Sequence, residues 1–259
     1  MEVFMSYTLE VCVDSTASAL AAKNGGADRL ELCADLIVGG TTPSLALVRQ
    51  VKETTGLPVR ALLRPRFGDF CYDRWELAQM VESAAELVAA GADGIVTGVL
   101  APDGALDVDA LRPIYDAARE AAAKAGRPVA LTLHRAFDVC RDPFEALDAA
   151  CELGLSTILT SGQAASAPAG APLLQQLVEH AAGRIEILVG AGVSPANLAA
   201  LAAETGAHSF HLSGKQVLDS RMTFRRDGVP MGLPGFSEFE VWQTSEETIR
   251  QARTVLNTL

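Results

Sequence analysis

The sequence predicts one α/β domain of the (β/α)8, or TIM-barrel, type, and three observations predict it. A single unit recurs along the 259 residues: an apolar strand, a polar turn, an amphipathic helix, then a glycine leading straight into the next strand. Seven such glycine joins, at Gly25-Gly26, Gly56, Gly91, Gly126, Gly154, Gly183 and Gly206, imply eight strands, because a helix that ends in a left-handed residue selects glycine there. The turn after the first strand, Asp14-Ser15-Thr16, lacks the glycines of a dinucleotide-binding doubly wound sheet. Eight units in about 210 residues is the proportion of a barrel.

Strands are expected near 8–13, 28–33, 58–63, 93–98, 128–134, 155–160, 184–189 and 207–212. Helix starts support them. Thr42-Pro43, Asp142-Pro143 and Ser194-Pro195 each pair a capping side chain with a proline at the first helical position. Asp73 with Glu76, and Asp142 with Glu145, have capping-box spacing. After Asp73 the residues Leu77, Met80, Val81, Ala84, Leu87 and Val88 form one apolar stripe. The barrel spans about 8–213, and 214–259 form a C-terminal loop and helix. Residues 214–245 show no clear period and carry Arg221, Phe224, Arg225, Arg226, Phe236, Phe239 and Trp242, which suits a lid over the mouth or an interface. Ile249, Ala252, Val255 and Leu256 mark a terminal amphipathic helix over 246–258.

Nearly half the residues are hydrophobic and the formal net charge is −11, with no run of Lys and Arg, which excludes a nucleic-acid surface. Met1 to Tyr7 lack the basic region of a secretory signal, and no apolar run reaches membrane-spanning length. Five cysteines without a Cys-x-x-Cys pair read as thiols in a reducing compartment, so a cytoplasmic protein is expected. No organic cofactor is indicated.

Alternation along a barrel strand separates interior from helix-facing side chains. Leu9, Val11 and Val13 should face the helices, turning Glu10, Cys12 and Asp14 inward; Leu30 and Leu32 likewise turn Glu31 and Cys33 inward. Arg64 ends the third strand, Thr132 and His134 share the inward parity of the fifth, and His211 and Ser213 that of the eighth. Interior charges need partners, so Glu10, Glu31 and Arg64 are expected to neutralise one another. The fifth strand ends in His134, Arg135 and Asp138, where a barrel places its chemistry.

Several segments together carry a resemblance: Leu-Glu-Val-Cys-Val-Asp-Ser at 9–15, Gly-Gly-Ala-Asp-Arg-Leu-Glu-Leu-Cys at 25–33, Gly-Gly-Thr-Thr-Pro-Ser at 39–44, Arg-Pro-Arg-x-Gly-Asp-Phe at 64–70 and His-Arg-Ala-Phe-Asp at 134–138. Through them the chain resembles the CutC copper homeostasis proteins over nearly its whole length. The resemblance implies a cytoplasmic TIM barrel linked to copper tolerance and binding Cu(I), commonly as an oligomer; a homo-oligomer, a dimer first, is expected here. It also implies Cu(I) ligation by two cysteines, carried over here onto Cys12 and Cys33.

Thiolates are soft donors suited to Cu(I), and strands roughly 4.8 Å apart let two inward cysteines reach one ion. The flanking Glu10, Asp14 and Glu31 act against this by raising thiol pKa values, and core packing is the competing role. Cys71, Cys140, Cys151, Met222 and Met231 are weaker candidates.

A second pattern lies at the last strands: Thr160-Ser161-Gly162, Gly190-Ala191-Gly192 and Ser213-Gly214-Lys215. Such glycines bring backbone N–H groups up to an anion, or serve only tight turns.

Two function classes follow. A copper-binding protein needs Cys12 and Cys33. An enzyme acting on a small anionic or phosphorylated metabolite would use Glu31 and His134 for proton transfer and Arg64, Arg66 and Arg135 to grip charge, with Asp14 or Asp138 orienting them and Ser161, Gly190, Gly192 and Ser213 in the anion loops. Arg64, His134 and Asp138 should meet at the mouth.

Overall fold

The structure, a computed structural model, describes residues 7–226, 228–229, 231 and 235–259. The reading of residues 1–6 as free of a signal lies outside them. Eight strands, β1 (Thr8–Val13), β2 (Arg29–Leu32), β3 (Val59–Leu62), β4 (Gly94–Thr97), β5 (Ala130–Leu133), β6 (Thr157–Thr160), β7 (Glu186–Val189) and β8 (Ser209–Leu212), form a closed barrel in sequence order. All neighbours are parallel, and β8 returns to β1 with Glu10 opposite His211. The fold is a TIM barrel.

Helices α1 (Thr16–Gly25), α2 (Leu45–Thr55), α3 (Arg74–Ala89), α4 (Val108–Lys124), α5 (Pro143–Glu152), α6 (Ala167–Ala181) and α7 (Leu198–Thr205) follow the first seven strands. All seven glycine joins have positive φ, from +66° at Gly126 to +115° at Gly91. That region is costly for residues with a Cβ, which is why the joins were readable.

Strand parity is as expected. Leu9, Val11, Val13, Leu30 and Leu32 are fully buried in the layer between sheet and helices, while Cys33, Leu62 and Val96 form a separate apolar cluster. Burying such a leucine or valine is worth about 1.5–3 kcal/mol, so this layer fixes which residues point inward.

Three helix starts differ in detail. Asp73 and Glu76 close a complete capping box. Asp142 accepts from the N–H groups of Phe144 and Glu145, but the Glu145 carboxylate turns away to Arg141, so only half of that box forms. The α2 cap is Ser44 rather than Thr42, whose hydroxyl instead bonds the backbone of Arg64. The last of the expected starts, Ser194-Pro195, belongs to the turn before α7, where the Ser194 N–H donates to Asn197 Oδ1.

Residues 214–245 contain more order than their sequence shows. β9 (Lys215–Asp219) and β10 (Glu240–Thr244) pair as an antiparallel hairpin. Every β9 residue is exposed, so no alternation of burial is written into its sequence. Beyond the hairpin, α8 (Glu246–Leu256) packs against α1 and α7 and fills the eighth position of the helix ring. Among the described residues no helix is long and apolar enough to cross a membrane.

Candidate functional site

The lowest interior layer is a closed ion network. The Glu10 carboxylate, 1 % exposed, meets Arg29 Nε at 2.5 Å, His211 Nδ1 at 2.9 Å and Arg60 Nη1 at 3.7 Å. Arg29 also pairs with Glu186 at 2.9 Å. Arg60 donates to the hydroxyls of Thr132 and Thr157, and Glu186 accepts from Thr157 and Ser209. Burial alone would raise the pKa of Glu10, but the His211 hydrogen bond and the charges of Arg29 and Arg60 outweigh it and bring it to about 2. Arg64 takes no part, contrary to the expectation from the sequence. Arg29 and Arg60 neutralise Glu10 instead, and Arg60 was readable from β3, where it shares the parity of Arg64.

One level higher, Cys12 lies opposite Glu31 in the register of β1 and β2. The Cys12 thiol, a Glu31 carboxylate oxygen and a His211 ring nitrogen lie within 4.8 Å of one another. His211 Nε2 stands 3.7 Å from Glu31 Oε2, with its other nitrogen held by Glu10. Burial opposes a charge on His211, but Cys12, Glu10 and Glu31 around it push its pKa well above the usual value. Burial and the neighbouring Glu10 charge raise Glu31. Cys33, 1 % exposed, donates to Glu31 Oε2 at 3.7 Å from the level above. Burial and the Glu31 charge push its thiol far up. Sequence parity placed His211 inside without giving it a role; its partner Glu10 is 201 residues away in the chain.

The opposite wall holds Arg64 and His134 around Phe70. The Arg64 guanidinium lies 5.1 Å from the Phe70 ring centroid and the imidazole of His134 4.8 Å from it. Arg64 donates to three loop carbonyls, Val38 at 3.4 Å, Gly40 at 3.1 Å and Gly68 at 2.9 Å. His134 Nδ1 accepts the Ala136 N–H at 3.1 Å. Among the described residues no carboxylate pairs or hydrogen-bonds with this histidine, as the proton-transfer role required. Burial, and then the Arg64 charge, lower its pKa to about 3. It is neutral at physiological pH. Cys12, Glu31, Arg64, Phe70, His134 and His211 border one cavity of about 300 Å³.

Asp138 does not join Arg64 and His134. Its carboxylate accepts from the N–H groups of Ser161 and Gln163 and the hydroxyls of Thr160 and Ser161, and pairs with Arg135 at 2.7 Å. An internal carboxylate therefore occupies these backbone donors. Arg135 reaches both Asp138 and Ser161. Arg66 is bound to Glu76 and Asp69, with its guanidinium over Tyr72. Gly190 permits close packing, since a Cβ there would stand 2.6 Å from Leu159 Cδ1; Gly192 has φ +71°. Asp14 and Ser213 line a second cavity of about 200 Å³ that shares Cys12 with the first. Burial, with Asp35 nearby, raises the pKa of Asp14. Lys215 and Trp242 of the hairpin complete that cavity, so the C-terminal segment forms one wall of the mouth.

A model of the CutC family matches residues 7–216, the barrel and the first hairpin residues. The CutC family protein of Chromobacterium violaceum is 44% identical over 253 residues, covering 98% of this chain and 99% of the relative. That of Vibrio vulnificus strain YJ016 is 43% identical over 255 residues, covering 98% and 100%. Among solved structures, the CutC protein of Streptococcus agalactiae, described as a copper homeostasis protein, superposes with a TM-score of 0.74 at 30% identity, covering 80% of this chain and 98% of its own.

Proposed function

The chain belongs to the CutC family, and on that premise we propose that it serves copper homeostasis in the cytoplasm by binding copper inside the barrel mouth. One observation carries the reading: a thiol, an imidazole and a carboxylate, Cys12, His211 and Glu31, have donor atoms within 4.8 Å of one another beside a cavity. Thiolate and imidazole are donors that copper takes readily. Glu10 on the far nitrogen of His211 resembles the carboxylate that orients a metal-binding histidine. Cys33, the other cysteine carried over from the resemblance, stands outside this group of three and reaches it through its contact with Glu31 at 3.7 Å.

Copper must displace protons here. Against burial, Cys12 first and then Glu10 and Glu31 favour the protonated form of His211, and burial with the Glu31 charge holds Cys33 as a thiol. Uptake therefore releases protons, and affinity rises with pH. The reading of the chain as a homo-oligomer, a dimer first, draws support from exposed Val217, Leu218 and Val241 on the hairpin and Phe224 beyond it.

A competition titration with a Cu(I) chelator under anaerobic conditions tests the proposal. The wild type should bind near stoichiometrically, and the double variant Cys12→Ser, Cys33→Ser should lose most of its affinity. His211→Ala should weaken binding by about 10–100-fold. Undiminished copper affinity in a folded double variant would remove these residues from the function.

A further inference from the structure

Arg64 is 7 % exposed and His134 5 % exposed, and both border the cavity of about 300 Å³. Among the described residues no carboxylate lies within ion-pair distance of Arg64, and its Nε–H has no hydrogen-bond partner. The carbonyls of Val38, Gly40 and Gly68 satisfy its other nitrogens but carry no charge. The buried Tyr72 hydroxyl interacts with the guanidinium. As a neutral phenol it supplies no counter-charge.

His134 repeats the pattern. Its Nδ1 accepts from Ala136, which places the ring proton on Nε2, and Nε2 is buried with no partner among the described residues. Gly98 holds the ring from behind: a Cβ there would stand 2.8 Å from Nδ1 and 2.9 Å from Cε1. A buried cation is ordinarily paired and a buried N–H ordinarily bonded. Here one of each flanks a single phenylalanine ring, fixed in place by backbone.

We propose that this wall binds the carboxylate group of a small organic monocarboxylate, with Arg64 as its counter-charge and the Nε2–H of His134 as a hydrogen-bond donor. One unmatched positive charge suits one negative charge. A dianionic phosphate would meet the Glu31 carboxylate across the same cavity, and the backbone donors suited to phosphate already hold Asp138. Leu62, Phe70 and Leu159 offer apolar surface to the remainder of the ligand. At about 30 Å³ per water, the cavity displaces roughly ten waters, which limits the ligand to a small acid. The inference stands apart from copper, since neither residue is a donor in the Cys12 cluster.

Calorimetric titration of the metal-free protein with acetate, pyruvate and isobutyrate, and separately with inorganic phosphate, tests it. The nitrogen-15 resonance of His134 Nε2 serves as a second readout. At least one carboxylate should bind and shift that resonance. Arg64→Met and His134→Asn should each weaken binding by about tenfold or more, the scale of one charge-assisted hydrogen bond. Asn retains an acceptor for the Ala136 N–H but cannot reach as Nε2 does. His134→Gln, which places an N–H near the Nε2 position, should stay within roughly threefold of wild type. Repeating the titration in Cys12→Ser keeps the result separate from copper binding. Binding by none of the three acids, phosphate binding tighter than all of them, or folded His134→Asn binding like wild type would overturn the proposal.

Discussion

Glu10 and Arg64 are both buried charges inside one barrel, and they differ in what surrounds them. Glu10 has three cationic or imidazole partners, and those partners are bound in turn to Glu186, Thr132 and Thr157. Arg64 has three neutral carbonyls, a phenol and a phenyl face, and beside it His134 keeps a proton that nothing among the described residues accepts. A saturated network holds a fold together, whereas buried donors left over at a cavity are set for something that arrives later. The Cys12, Glu31 and His211 cluster lies between the two, with His211 shared between the network below and the cavity above.

The largest expected effect comes from opening the saturated layer. Glu10→Ala leaves Arg29, Arg60 and His211 without their common anion, and breaking a buried pair in this way costs about 3–5 kcal/mol. Urea denaturation of wild type and variant measures it. The acid profile gives an independent signature. The pKa of Glu10 is lowered from 4.5 to about 2, so its contribution is complete above the unfolded value and is lost as pH falls through that window. His134, lowered from 6.5 to about 3, also favours the folded state above its unfolded value and loses that contribution as pH falls. Wild type should therefore weaken in two overlapping acid stages, and Glu10→Ala should lack the one between pH 4.5 and 2. A change under about 1 kcal/mol would mean that Arg29 and Arg60 are satisfied by Glu186 alone.

An intermediate effect should follow from Gly98→Ala. Its new Cβ would stand 2.8 Å from His134 Nδ1 and 2.9 Å from Leu133 Cδ1, so the ring must move. Overpacking of this kind costs about 1–3 kcal/mol. Carboxylate binding should fail with it, while Cu(I) affinity stays at the wild-type value because Cys12, Glu31 and His211 lie on other strands. Loss of both together would join the two halves of the cavity into one site.

The two layers also differ in how far the sequence reveals them. Alternation in β1 and β2 set Glu10, Cys12, Glu31 and Cys33 inside, and the glycine joins marked every βα unit, because both signals are local. Partnership is not local. Arg64 was matched to Glu10 on charge alone, yet its guanidinium is held by the loops that follow β2 and β3, and no period describes loop carbonyls. His134 was expected beside carboxylates; the nearest acid in sequence, Asp138, is drawn off by Ser161 and Gln163 across the next strand. The exposed β9 hairpin carried no burial pattern and so read as a loop, although it walls the mouth.

Arg64→Met tests the same contrast where the smallest change in stability is expected. Methionine fills much of the arginine's apolar volume, loses the carbonyl contacts of Val38, Gly40 and Gly68, and no longer carries a buried charge without an anion. These effects oppose one another, so the ligand-free variant should stay within about 1 kcal/mol of wild type. The difference should appear only on adding a carboxylate that binds. At one hundred times its dissociation constant such a ligand stabilises the wild type by about 2.7 kcal/mol, and it should leave the variant nearly unmoved. Paired thermal melts with and without the acid measure both quantities. If ligand-free Arg64→Met instead loses about 3 kcal/mol or more, then Arg64 belongs with Glu10 among the residues that hold the barrel together, and the distinction between the two layers disappears.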